Sequence, residues 1–309
     1  MFDFFKKKGN DKTGDKDAGL NSTVSEMDKS IDNSNEDNDE KESFALYILF
    51  SKAPAFNSSK IAERIKKISS GDVEIHNILE EEDTTNSFGF AKIDGQNFKL
   101  VGLDIPVPQE ISDYTVGCAY GQKEELEAMS EHAYHIIAFY EGESTDYNVI
   151  YNAFAKLAYG FADDNFVGMA NGYAWNAVAP SLLKGLFEDE RIAEFASTPA
   201  MMVWRNFVKM PYEDKVWFVT KGNNVYGVHE YAFKGDSFED SQMVYDMFED
   251  IFNYEYSEKP VIEAGHTLQI GDDVFLKFRD VYEIEGDLQG EGIGTLVIEL
   301  INADEINKL

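Results

Sequence analysis

From residue 44 onward the apolar positions follow two alternating rhythms: short runs dense in strand formers, and longer stretches with a period near 3.6. FALYILF at 44–50 predicts a strand. NSSKIAERIKKIS predicts a helix capped by Asn57 or Ser58, because Ile61, Ile65 and Ile68 recur on one face. DVEIHNIL, SFGFAKI and FKLVGLDI predict three strands, the last two joined across the hairpin signal Asp94-Gly95. A loop with helical pieces over 106–130 leads to a strand in AYHIIAFY, a helix over DYNVIYNAFAKLAYGFA and a strand near FVGMA.

The second half keeps the rhythm. AWNAVAPSLLKGLF and DERIAEFAS predict short helices, the first broken by Pro180 and the second stopped by Pro199. AMMVWRNFVKM, KVWFVTKG and VYGVHEYAF predict strands, although the first also suits a helix. FEDSQMVYDMFEDIFNYEYS predicts a long helix with Met243, Met247 and Ile251 at i, i+4, i+8 on one stripe. EAGHTLQIGDDVFLKFRDVYEIEG and GTLVIELI close the chain as strands separated by Gly-Asp turns. Interleaved helices and strands, with hairpins among crossovers, predict an α+β fold with mixed or antiparallel sheets and packed helices. The length of 309 residues suggests two lobes, 44–172 and 173–309. Residues 1–43 contain almost no aromatics beyond Phe2, Phe4 and Phe5, and read as a disordered acidic leader.

Charge narrows the partners. The chain carries 58 Asp plus Glu against 27 Lys plus Arg, a net charge of −31. The leader holds 12 acids and 7 bases, so −26 (−31 minus −5) falls on the remainder. Such a body repels nucleic acid and anionic lipid and favours a basic protein as partner. A single cysteine, Cys118, excludes an intramolecular disulfide and suits the cytoplasm. No apolar run approaches the ~18 residues of a membrane span, and MFDFFKKKGN lacks the order of an export signal. Its three phenylalanines and three lysines allow only weak contact with a membrane surface, without stable insertion.

The candidate chemistry is sparse. His132 and His135 would share a face on a helix, where they could form half of a metal site; on a strand, an offset of three puts them on opposite faces. AYHIIAFY favours the strand, with His135 beside Ile137 and Phe139 as a core histidine bonded to backbone. His229 and Glu230, adjacent on a strand, also face apart. His266 and Thr267 lie in a Gly-containing turn, and His76 lies between Ile75 and Ile78. GDLQGEGIG resembles the start of a calcium loop, but Ile298 stands where the closing glutamate belongs and the flanks read as strands. No catalytic set, metal-ligand set or cofactor motif is identified. His229, Glu230, His266 and Thr267 are the binding candidates that this leaves.

FVTKGNNVYGVHEYAF, with Thr220, Gly222, Gly227 and Glu230, and the later EAGHTLQIGDDVFLKF, with Gly265-His266-Thr267, resemble a bacterial domain-of-unknown-function family. Its members share a Thr-x-Gly…Gly-x-x-Glu segment and a later Gly-His-Thr turn. LFSKAPAFNSSKI and the 132–140 strand are similar to the front of longer members, while the acidic leader and Leu268 depart from the pattern. The resemblance implies an intracellular bacterial protein without established catalytic residues; some members look like toxin-immunity proteins. The expectation is therefore a non-enzymatic cytoplasmic binding protein that neutralises a basic toxin or effector. The rival is a hydrolase-like enzyme with a site between the lobes, which requires a pocket where His229 or His266 meets a carboxylate.

Overall fold

The computed structural model describes residues 44–77, 86–163, 165–189 and 193–306. The leader, 1–43, with its expected disorder and membrane contact, lies outside the described residues. Seven strands, β1 (Ala45–Phe50), β2 (Val73–Asn77), β3 (Ser87–Ile93), β4 (Gln96–Leu103), β5 (Tyr134–Tyr140), β6 (Phe166–Asn171) and β7 (Asn176–Val178), build one sheet. Their order is β2-β3-β4-β5-β1-β6-β7, and every pairing is antiparallel. The Asp94-Gly95 turn joins β3 to β4 with φ of 50° and 81°, the left-handed pair that a tight hairpin demands.

Helices cover both faces of this sheet. Helix α1 (Ser58–Lys66) starts where the Asn57 side chain accepts from the Lys60 amide at 3.0 Å, and it buries Ile61 and Ile65. With α4 (Tyr147–Gly160) and α5 (Pro180–Glu188) it packs on the face that carries Leu46, Ile48, Leu100, Ile136 and Ala138. On the opposite face, α2 (Gln109–Thr115) and α3 (Lys123–Ser130) contribute Ile111 and Met129 to a smaller cluster with Leu49 and Val167. Pro180 does not break a helix: it opens α5 in the first turn, where its missing amide hydrogen costs nothing, and the residues before it form β7.

The second sheet is mixed. It comprises β8 (Asn206–Tyr212), β9 (Lys215–Lys221), β10 (Glu230–Gly235), β11 (Thr267–Gln269), β12 (Val274–Asp280) and β13 (Thr295–Asn302), in the order β11-β12-β13-β10-β9-β8, with β10 and β13 parallel. Helix α6 (Ser241–Glu258) packs along one face through Val244, Met247, Phe248, Ile251 and Phe252. Of the expected stripe, Met247 and Ile251 are buried, whereas Met243 is exposed and Val244 is buried beside it.

The α+β class and the mixed and antiparallel sheets match the sequence reading, but the proposed boundary at 172/173 does not. It falls in the turn between β6 and β7, which pair with each other in the first sheet. The change of sheet comes between Val178 and Asn206, and Val203 and Trp204 pack in the first core, with Trp204 stacked on Tyr151 at 5.2 Å. Buried asparagines stitch this junction. Asn176 Nδ2 donates to the Met202 and Val203 carbonyls, and Asn206 Nδ2 to those of Cys118 and Trp175. Gly222, at φ +92°, lies against Ala174, where a Cβ would come within 2.8 Å of the alanine methyl. The described residues therefore form one unit and not two separable lobes. Among them, no helix is long and apolar enough to cross a membrane.

Candidate functional site

Strand β5 begins at Tyr134, so alternation governs His135 but not His132. His135 shares the sheet face of Ile137 and Phe139 as expected, is buried, and donates from Nδ1 to the Ile105 carbonyl at 2.8 Å. His132, just before the strand, donates from Nδ1 to the Met129 carbonyl at 2.7 Å and accepts the Val107 amide at Nε2, 2.8 Å. Both rings thus fasten the same segment, 105–107, and are not simply parted by the sheet. Their role is structural. Burial pushes both imidazoles below the usual histidine range. The unfolded chain therefore takes up protons that the native state refuses, and stability is complete above about pH 6.5 and falls as pH drops below it. The expected slope reaches about 1.4 kcal/mol per pH unit for each histidine. Urea denaturation between about pH 7 and pH 5 checks this, with the His132→Gln/His135→Gln double variant losing that part of the slope.

The segment 220–231 forms a buried clasp at the start of β10. Glu230 receives the Thr220 hydroxyl at 2.7 Å, the Gly222 amide at 2.7 Å and the Asn224 amide at 3.3 Å. Thr220 Oγ1 in turn accepts the Tyr231 amide at 2.8 Å and Asn223 Nδ2 at 3.1 Å. Burial raises the Glu230 pKa against the opposing pull of these donors and of Lys221. Gly227 adopts φ +71° and closes the turn. Thr220, Gly222 and Glu230, read above as a sequence pattern, are thus members of one backbone-holding network whose turn Gly227 closes. Lys221 is buried with its ammonium 4.4 Å from the Trp175 ring centroid, and burial lowers its pKa. Burial also pushes the Cys118 thiol up to about 11, which keeps it protonated and unreactive at neutral pH.

His229 and Glu230 do face apart, and the carboxylate that His229 meets is a different one. His229 Nδ1 lies 2.6 Å from Glu255 Oε1, and the Tyr231 hydroxyl bonds the other oxygen of Glu255. His229 and Tyr231, two apart, present the same strand face to α6, as alternation requires. Glu255 is buried at the end of the apolar stripe of α6, eight residues after Met247. That stripe was the signal in the sequence: a carboxylate continuing Met247 and Ile251 at i+4 needs a partner.

His229 also lines a concavity of about 400 Å³ beside the ends of β10, β12 and β13. Ile262, Glu263, Ala264, Asp280, Val281, Gln289, Ile293, Gly294, Thr295 and Leu296 complete the lining. The pocket is built within the second sheet and its loops, not between two lobes. Thr295 is not a free nucleophile, since its hydroxyl donates to the Leu288 carbonyl at 2.8 Å and accepts the Gly290 amide at 2.8 Å. His266 is exposed, accepts the Glu263 amide at 3.2 Å and is not part of the lining; Thr267 is exposed on edge strand β11. Of the four binding candidates, the structure therefore brings only His229 to the pocket. No group of three or more His, Cys, Asp or Glu side chains among the described residues can hold a metal ion, and 286–294 runs from the end of a 3-10 helix (Glu283–Leu288) through a turn into β13. The chain matches no known family, curated protein or solved structure.

Proposed function

We propose that this chain is a non-enzymatic cytoplasmic binding protein that neutralises a basic effector, such as a toxin, by docking on it. The observation that carries the reading is the pocket beside β10, β12 and β13: two carboxylate residues, Glu263 and Asp280, line it, and no Lys or Arg does. Exposed apolar side chains accompany it. Ile293, 52% exposed, is part of the lining, and Val261, 75% exposed, precedes the lining residue Ile262. Apolar contacts near an acidic concavity suit a partner with basic residues, and the −26 on residues 44–309 would speed their encounter.

The test is the affinity of a partner, isolated from native lysate and identified, as a function of salt. Its Kd is expected to rise roughly tenfold between about 0.05 M and about 0.3 M salt, and the Glu263→Gln/Asp280→Asn variant should bind more weakly and lose part of that dependence. A Kd indifferent to salt would remove the electrostatic basis of the reading. The 2.6 Å contact of His229 with Glu255 favours a second reading, a hydrolase with His229 as general base. Substrate turnover by the purified protein, abolished in His229→Gln, would establish that second reading in place of the first.

A further inference from the structure

We infer that the pocket at His229 receives the basic side chain of a partner, an arginine or lysine whose cationic head is held by His229 Nε2 together with Asp280 and Glu263. This rests on the docking role proposed above and names the chemistry of its anchor. Glu255 accepts on one oxygen from the Tyr231 hydroxyl and on the other from His229 Nδ1. This contact calls for a hydrogen on Nδ1, and in that tautomer Nε2 is an acceptor. Glu255 and Tyr231 are both buried, so the ring is held from behind and does not need to be ordered when a ligand arrives.

The rest of the lining divides in a way that fits one long amphipathic side chain. Ile262, Val281, Ile293 and Leu296 offer apolar surface for a methylene stem. Asp280 and Glu263 bring negative charge, and the nearest cation in sequence is already committed. Arg279 donates to Glu285 at 2.7 Å and to Glu299 at 2.8 Å. An incoming guanidinium or ammonium would therefore meet acceptors with no resident cation to displace.

The probe is N-acetyl-arginine methylamide, titrated into the full chain while the ring nitrogens of His229 are followed by long-range ¹H–¹⁵N NMR. Saturable displacement of the His229 Nε2 resonance is expected with the arginine probe, or with its lysine counterpart, and not with the neutral isostere N-acetyl-citrulline methylamide. Asp280→Asn should weaken the cation roughly tenfold. His76, on β2 of the first sheet, serves as the internal reference and should not respond. Equal responses to arginine and citrulline, no response to either cation, or full affinity in the Asp280→Asn/Glu263→Gln variant would overturn the inference. The two proposals fail separately: a partner that still binds in a salt-dependent way to a protein whose pocket ignores both cations would be docking elsewhere on the acidic surface.

Discussion

Replacing Arg205 with methionine is expected to lower the unfolding free energy by about 3 kcal/mol, the low end of the range for breaking one side of a buried ion pair. Arg205 is 1% exposed and makes contacts that no other side chain could make together. Its Nε donates to the Pro199 carbonyl at 2.6 Å, Nη1 donates to Asn223 Oδ1 at 3.2 Å, and Nη2 pairs with Glu249. The guanidinium carbon also stands 3.5 Å from the centroid of the Phe252 ring. Methionine would keep much of the volume and the contact with Phe252, so the loss measures the polar bonds and not a cavity. The low end of the range applies because Glu249, whose side chain is 27% exposed, can turn to water once its partner is gone, whereas the Pro199 carbonyl and Asn223 amide cannot easily do so. Glu249→Gln keeps an acceptor for Nη2 but leaves the buried guanidinium without its counter-charge, and should cost about 2 kcal/mol, less than the methionine variant. Urea denaturation of the two variants checks the ordering; a methionine variant within about 1 kcal/mol of the parent would mean that the fork of bonds contributes little.

Arg205 also shows where reading the sequence reaches its limit. It lies in AMMVWRNFVKM, a run whose strand character is legible, and β8 does begin one residue later. Nothing in that run announces that the side chain bonds Asn223 and Glu249, because those contacts span 18 and 44 residues and depend on how α6 crosses the sheet. The local rules held where local physics decides. Asn57 caps α1, Asp94-Gly95 makes the hairpin, and alternation parts His229 from Glu230. They failed where a residue's meaning depends on its neighbour in space. Pro180 is a breaker inside a helix and an opener at its first turn, and only the position of β7 decides between them. The 172/173 boundary fails for a related reason: β7 is only three residues long and its sequence reads as part of a helix, which hides the hairpin that ties it to β6. Of the pocket, His229 was legible as a candidate. Glu255 was concealed as one more acid in a helix rich in acids, although its place on the buried stripe set it apart.

Glu230→Gln is expected to cost about 2 kcal/mol, although the two side chains have nearly the same shape, because the clasp has room only for an acceptor at both oxygens. One oxygen takes two backbone amides, from Gly222 and Asn224. The other takes the Thr220 hydroxyl, whose own two lone pairs are filled by the Tyr231 amide and by Asn223 Nδ2. A glutamine amide nitrogen in that second place would direct hydrogens at an oxygen with nothing left to accept them. Flipped, it would direct them at two amide N–H groups. Thr220→Ser keeps the hydroxyl and should lose less than about 1 kcal/mol, whereas Thr220→Val strands Glu230 and two donors at once and should lose at least as much as the glutamine variant. Urea midpoints in this order would establish the clasp as acceptor-matched, and a glutamine variant as stable as the parent would refute it. Because Glu230 faces away from His229, the folded fraction of Glu230→Gln should bind the arginine probe with unchanged affinity. That separates the two neighbours: Glu230 stabilises the segment that positions β10, and His229, one residue earlier, lines the pocket.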